Sequence, residues 1–158
     1  MGNVFAGSEV VEMGIEIEKN GKDFYETLAK QSKNDKAKEI FQFLTGEEAK
    51  HIVDFKKVLD IVHKYEPPES YPGEYFAYLQ ALASVHVFTQ KGKGVEAAKK
   101  ATSDKEAIIA GIGFERDSIV FYDGMKKVVP ESSGKVIDEL IAQEKAHLLK
   151  LYELKEYL

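Results

Sequence analysis

The sequence predicts an all-α protein, a four-helix bundle with a long helical crossover between its second and third helices. Three observations predict it. Apolar residues recur at steps of three and four over long stretches, which gathers them on one side of a helix, as in Ile137, Leu140, Glu144, His147, Leu151, Leu154, Leu158. The same stripe with the same polar interruption occurs earlier as Ala37, Phe41, Leu44, Glu48, His51, Phe55, Val58, Val62. The chain also repeats itself. Gly14-Ile15, Glu18 and Phe24-Tyr25 return as Gly111-Ile112, Glu115 and Phe121-Tyr122 at an offset of 97, and Glu48 and His51 as Glu144 and His147 at 96. Two helical hairpins of like design follow one another.

The first helix is expected over about 8–31, from Ser8 as N-cap to the polar cluster Gln31-Ser32-Lys33-Asn34. Its stripe holds Val11, Ile15, Glu18, Tyr25 and Ala29, flanked by Ile17, Phe24 and Leu28. Gly14 and Gly21 read either as places of close backbone approach or access near Glu18, or as tolerated glycines in a long helix. The second helix, about 35–65, keeps its phase through Thr45-Gly46-Glu47-Glu48 and is stopped by Pro67-Pro68.

A crossover over 66–103 follows, with a Tyr71-Pro72-Gly73 turn, a helix at about 74–88, a Lys91-Gly92-Lys93-Gly94 loop and a short helical piece to Ala101. Its length lets the third bundle helix begin at the end where the first began and run parallel to the second. Ser103-Asp104-Lys105-Glu106 reads as a capping box opening that third helix, about 104–128, whose inner face carries Ile108, Ile112, Glu115, Ile119, Tyr122 and Met125. Pro130 suits the first turn of the fourth, about 131–157.

At 158 residues the chain reads as one domain with room for a substantial core. A net charge of −5 leaves no basic footprint for nucleic acid and no attraction to an anionic membrane. Without cysteine there is no disulfide, thiol nucleophile or thiolate-bound metal. Neither a cleavable signal nor a membrane-spanning run is evident, and Met1-Gly2-Asn3-Val4-Phe5-Ala6 departs from a myristoylation signal at Ala6. A cytoplasmic location is expected.

Each of the four bundle helices carries one acid among its core-facing aliphatics, and two of those acids are followed three residues on by histidine. Four unpaired carboxylates in a dry interior would repel one another and take up protons. Two divalent cations neutralise them. One Glu from each of two helices, with a Glu-x-x-His from each of the other two, is the ligand arrangement of carboxylate-bridged di-iron or di-manganese bundles. Hard oxygen donors with one imidazole per ion favour iron, or manganese, over structural zinc. Asp60 and His63 share the spacing, but Asp60 points off the stripe.

Through Glu18, Glu48-Ala49-Lys50-His51, Glu115 and Glu144-Lys145-Ala146-His147, over nearly its whole length, the sequence resembles the rubrerythrin-type members of the ferritin-like superfamily. The resemblance implies a ferritin-like fold and a di-iron centre that reduces hydrogen peroxide or dioxygen, often within a homodimer. It implies Glu18 and Glu115 as terminal ligands, Glu48 and Glu144 as bridges, and His51 and His147 as one further ligand to each iron. A full rubrerythrin carries a cysteine-ligated rubredoxin domain, so the electrons here are expected from a separate donor protein or small reductant. Typical rubrerythrins place a second Glu where Ser118 stands, which leaves oxidase, ferroxidase and iron-handling roles open beside peroxidase.

Tyr25 and Tyr122, each two turns beyond a candidate ligand, read either as partners that hydrogen-bond a bridging Glu or as ordinary core tyrosines. His63 and His86 read as structural or surface residues, and Glu9, Glu12, Glu16 and Glu47 as a solvated face more than an iron-entry path. Three functions stay open: a di-iron oxidoreductase, an iron-binding or storage module without turnover, and a metal-free helical interaction protein.

Overall fold

The computed structural model describes residues 7–65 and 73–158. The expectations for the amino terminus and for Pro67-Pro68 and Tyr71-Pro72 lie outside them. Six helices are present, α1 (Gly7–Gln31), α2 (Asp35–Tyr65), α3 (Gly73–Val85), α4 (Lys93–Lys100), α5 (Asp104–Met125) and α6 (Glu131–Tyr157), with single 3₁₀ turns at Val87–Thr89 and Lys126–Val128. There is no strand among the described residues. No described helix is long and apolar enough to cross a membrane. The architecture is an all-α ferritin-like bundle of α1, α2, α5 and α6.

The apolar stripes decide the packing. Val11, Ile15, Phe24 and Leu28 of α1, Phe41, Leu44, Phe55 and Val58 of α2, Ile108, Ile112 and Met125 of α5, and Ile137, Leu140 and Leu151 of α6 form one buried core. Leu158 ends the α6 stripe but is exposed, one residue past the helix.

The three-residue link at 32–34 folds α2 back along α1, and Asn34 caps it through its Oδ1, which accepts the Ala37 N–H at 2.9 Å. Ser103 Oγ likewise accepts the Glu106 N–H at 3.1 Å to open α5, while the Glu106 carboxylate returns to the Thr102 N–H and hydroxyl at 2.7 Å. The expected capping box is thus displaced outward by one residue at its return bond. Pro130 stands just before α6 as its N-cap residue. Ser8, expected as an N-cap, lies within α1.

The third bundle helix, α5, starts at the end opposite to the expected one. Ser32, just after α1, donates to Asp104 at the start of α5 at 3.0 Å, and Met125 at the other end of α5 packs beside Gly14. The helix therefore begins where α1 ends and runs parallel to α2. Only that start satisfies the parallel direction, and it is why the chain must cross the length of the bundle between them. Lys36 over the Tyr157 ring, 4.4 Å from its centroid, sets the end of α6 against the start of α2.

The crossover is more broken than its apolar content predicts. A helix over 74–88 gives way to α3, which stops at Val85, because His86 adopts an extended backbone and its Nδ1 accepts the Phe88 N–H at 3.2 Å. The expected loop at 91–94 contracts to a turn at Gly92, φ 78°, and α4 is already under way at Lys93. Asn20, buried on α1, fastens this segment. Its Nδ2 donates to the carbonyls of Phe88 and Gln90, both at 2.7 Å, and its Oδ1 accepts the Gly94 N–H at 2.9 Å.

That clamp sets a requirement for glycine, since a Cβ on Gly94 would lie 2.0 Å from the Asn20 carbonyl oxygen. Gly94→Ala is expected to destabilise the fold by about 1–3 kcal/mol, the usual cost of overpacking. Gly46→Ala, in mid-helix with nothing within 4 Å of an added Cβ, is expected to stabilise it by up to about 1 kcal/mol. Denaturant midpoints of the two variants check both signs.

Candidate metal centre

The acid of each stripe ends at the middle of the bundle. Glu18 from α1, Glu48 and His51 from α2, Glu115 from α5 and Glu144 and His147 from α6 are buried together. Ligand atoms of Glu18, Glu48, His51 and Glu144 lie within 4.8 Å of one another, and so do those of Glu48, Glu115, Glu144 and His147. Glu48 and Glu144 belong to both quartets. Within them, His51 Nδ1 is 2.8 Å from Glu144 and 3.5 Å from Glu18, and His147 Nδ1 is 3.5 Å from Glu144, 3.7 Å from Glu48 and 3.8 Å from Glu115.

The donor atoms meet little besides one another. Among the described residues, nine buried side-chain nitrogen or oxygen atoms lack a hydrogen bond, and eight of them belong to these six residues. Native interiors pair such atoms, and leaving each unsatisfied costs roughly 1–3 kcal/mol. Two cations, one per quartet, satisfy the set and neutralise the four carboxylates, so the residues fit a two-metal centre.

Without metal the charges rearrange. Burial pushes Glu48, Glu115 and Glu144 upward, and the negative neighbours Glu18 and Glu144 add to the shift on Glu48. Burial would raise Glu18 too, but its contacts with Glu48 and His51 and the hydrogen bond from Tyr122 hold it at about 2. His51 goes the other way from most buried imidazoles: against the burial cost, its contacts with Glu144 and Glu18 raise it to about 11. Burial lowers His147. Three of the acids are thus shifted toward the protonated form and one imidazole toward the imidazolium, which lessens the repulsion among the four carboxylates.

The tyrosines bond the acids of the opposite hairpin. Tyr25 donates to Glu115 at 2.7 Å and Tyr122 to Glu18 at 2.6 Å. The expected partners were Glu48 and Glu144, but two turns along α1 or α5 bring each hydroxyl level with the acid of the facing odd-numbered helix. Burial and nearby carboxylate charge push both phenols upward, so they remain donors.

Several residues of the site went unread in the sequence. Gln143 Oε1, on the exposed side of α6, meets His51 Nε2 at 2.7 Å; accepting that proton leaves Nδ1 for the interior. Gly21 gives Glu48 its room, because a Cβ there would stand 3.1 Å from Glu48 Oε2 and 2.7 Å from the Phe114 ring. The close approach near Glu18 is thus made by side chains, not by backbone. His63 is exposed, whereas His86 is buried and its Nε2 lies 3.0 Å from Ser118 Oγ. Since His86 Nδ1 accepts from Phe88, Nε2 carries the proton and donates to Ser118, whose hydroxyl donates to the Phe114 carbonyl at 2.9 Å. Burial lowers His86 to about 4 and keeps it neutral. Glu9 and Glu12 are exposed and Glu16 half-buried, but Glu47, read with them as solvated, leans inward. One of its oxygens lies within 4.8 Å of a nitrogen of His51 and one of His147. Glu47 stands four residues before His51 on α2, a spacing that could have marked it, whereas Gln143 and His86 are brought in from another helix and from the crossover, which no spacing rule marks.

Comparison with family models matches residues 9–155 to the one described as Rubrerythrin. That span contains all six candidate ligands. Among curated proteins and among solved structures nothing matches.

Two outcomes follow from this geometry. Glu48→Ala or Glu144→Ala, each removing an acid shared by both quartets, is expected to abolish two-metal binding, while Asp60→Ala on the exposed side of α2 retains two ions per chain by elemental analysis. Loading is also expected to release more than one proton per chain at pH 7. The raised acids and His51 hold protons in the metal-free protein that a bound cation must displace, so affinity falls as the pH is lowered. Calorimetry in two buffers of different ionisation enthalpy measures the release, and a value of zero would contradict the charge arrangement.

Proposed function

The chain belongs to the rubrerythrin family, and on that premise we propose that it is a non-haem di-iron oxidoreductase that reduces hydrogen peroxide or dioxygen. The observation that carries the reading is the convergence of eight buried donor atoms that meet chiefly one another, from six residues in two overlapping quartets. Glu18 and Glu115 would each serve one iron, Glu48 and Glu144 both, and His51 and His147 one each. Manganese satisfies the same donors.

When bound, the metal pair supplies two electrons, which with two protons convert one hydrogen peroxide to two waters. The chain's own residues prepare that site. Tyr25 and Tyr122 orient the terminal acids and hold protons beside them. Phe24, Phe88 and Phe114 pack against one another, with ring centroids 4.5–6.4 Å apart, on the crossover side and exclude water there. In the place of a further acid, Ser118 and neutral His86 offer uncharged hydrogen-bonding groups, which leaves the centre with four carboxylates and no surplus negative charge. The 158 residues contain no cysteine, so the electrons that reset the centre come from a donor outside them, a protein or a small reductant.

Single-turnover mixing tests the reading. Iron-loaded, reduced protein is expected to be oxidised by peroxide or dioxygen at least about tenfold faster than free ferrous iron, a gain equivalent to roughly 1.4 kcal/mol in barrier. Oxidation no faster than that of the free ion would leave an iron-binding module without turnover.

A further inference from the structure

The centre is separated from the α2 and α6 surface by the rings of His51 and His147. The two imidazoles stack, with centroids 5.4 Å apart and planes 17° from parallel. Their Nδ1 edges face the buried carboxylates. The opposite edge of His51 meets the exposed Gln143 side chain. Glu47 brings a carboxylate oxygen within 4.8 Å of a ring nitrogen of each histidine, with its side chain 19% exposed and paired to the surface Lys50 at 3.6 Å. Two imidazoles and a carboxylate at that separation are the donor set of a divalent cation.

We propose that Glu47, with His51 and His147, forms a docking site where a divalent cation rests before it enters the centre. The inference rests on the reading of the inner centre as a metal site and adds a route into it. A neutral imidazole has one free lone pair. A cation held by Glu47 and these rings occupies imidazoles that an inner cation needs, and filling both nitrogens of one ring would require an imidazolate. The docking site therefore empties as the centre fills, and the loaded protein holds two ions, not three. Glu47 remains outside the finished centre, and its carboxylate is what draws the cation through the layer of rings. Lys50 keeps that carboxylate paired in the meantime, as an exposed contact readily displaced by a divalent ion.

Stopped-flow uptake of cobalt(II) by the full-length metal-free chain, followed by visible absorption, tests this. For the wild-type chain the uptake rate is expected to level off with cobalt concentration as the docking site saturates. Glu47→Gln, which alters a side chain at the edge of the core and none of the six candidate ligands, is expected to lose that plateau and load about tenfold more slowly at low cobalt, near the lower end of outer-shell effects on metal sites, yet still reach two ions per chain. Asp60→Asn, with the same charge change elsewhere on α2, is expected to load at the wild-type rate. Equal rates for Glu47→Gln and wild type would overturn the docking step alone, as would equal slowing in both variants. Fewer than two ions in Glu47→Gln would overturn it by making Glu47 part of the centre. A wild-type chain that takes up no cobalt would bring down the reading of the centre as well.

Discussion

Four carboxylates meeting in the dry middle of a helical bundle are the constraint to which the rest of the structure answers. A single buried carboxylate is costly unless paired, and four at this separation cannot all stay ionised on their own. In the metal-free chain the conflict is reduced by protons and by an imidazolium at His51. Two bound cations satisfy the same groups without that redistribution. The donors are rigidly presented, each from the middle of a long helix, so the geometry needed for binding exists before the ligand arrives.

The centre also ties the two hairpins together. Tyr25 reaches from the first hairpin to Glu115 in the second, and Tyr122 reaches back to Glu18. Each half thus supplies the hydrogen bond that orients an acid of the other. Neither hairpin alone contains a complete site, and the bundle's closure and the site's assembly are one event. The crossover joins the same arrangement from outside, held by the Asn20 clamp, and delivers Phe88 and His86 to the aromatic layer around Phe114.

The internal repeat is close to symmetric at the ligands and unequal around them. Gly21 and Ser118 occupy equivalent positions in the two halves, and both are small. Gly21 leaves space that Glu48 and Phe114 fill, whereas Ser118 receives His86 from the crossover. His51 has Gln143 at its outer nitrogen, while the His147 ring has the Phe43 ring edge-on, 6.4 Å between centroids. The two quartets therefore have different surroundings although their acids match.

Helical class, the four long elements, the stripe of each and the six donors of the centre were all legible in the sequence, because a helix repeats every 3.6 residues and an ionisable group on its apolar face is visible as an exception. The duplicated Glu-x-x-His told which acids belonged together. Contacts made across helices left no such mark. The destinations of the Tyr25 and Tyr122 hydroxyls, the end of the bundle at which α5 begins, the break at His86, the clearance Gly21 gives Glu48 and the nearness of Glu47 to His147 depend on which residues of distant segments come level when the helices pack. Spacing along the chain determines what shares a face; only the packed bundle decides what stands opposite it.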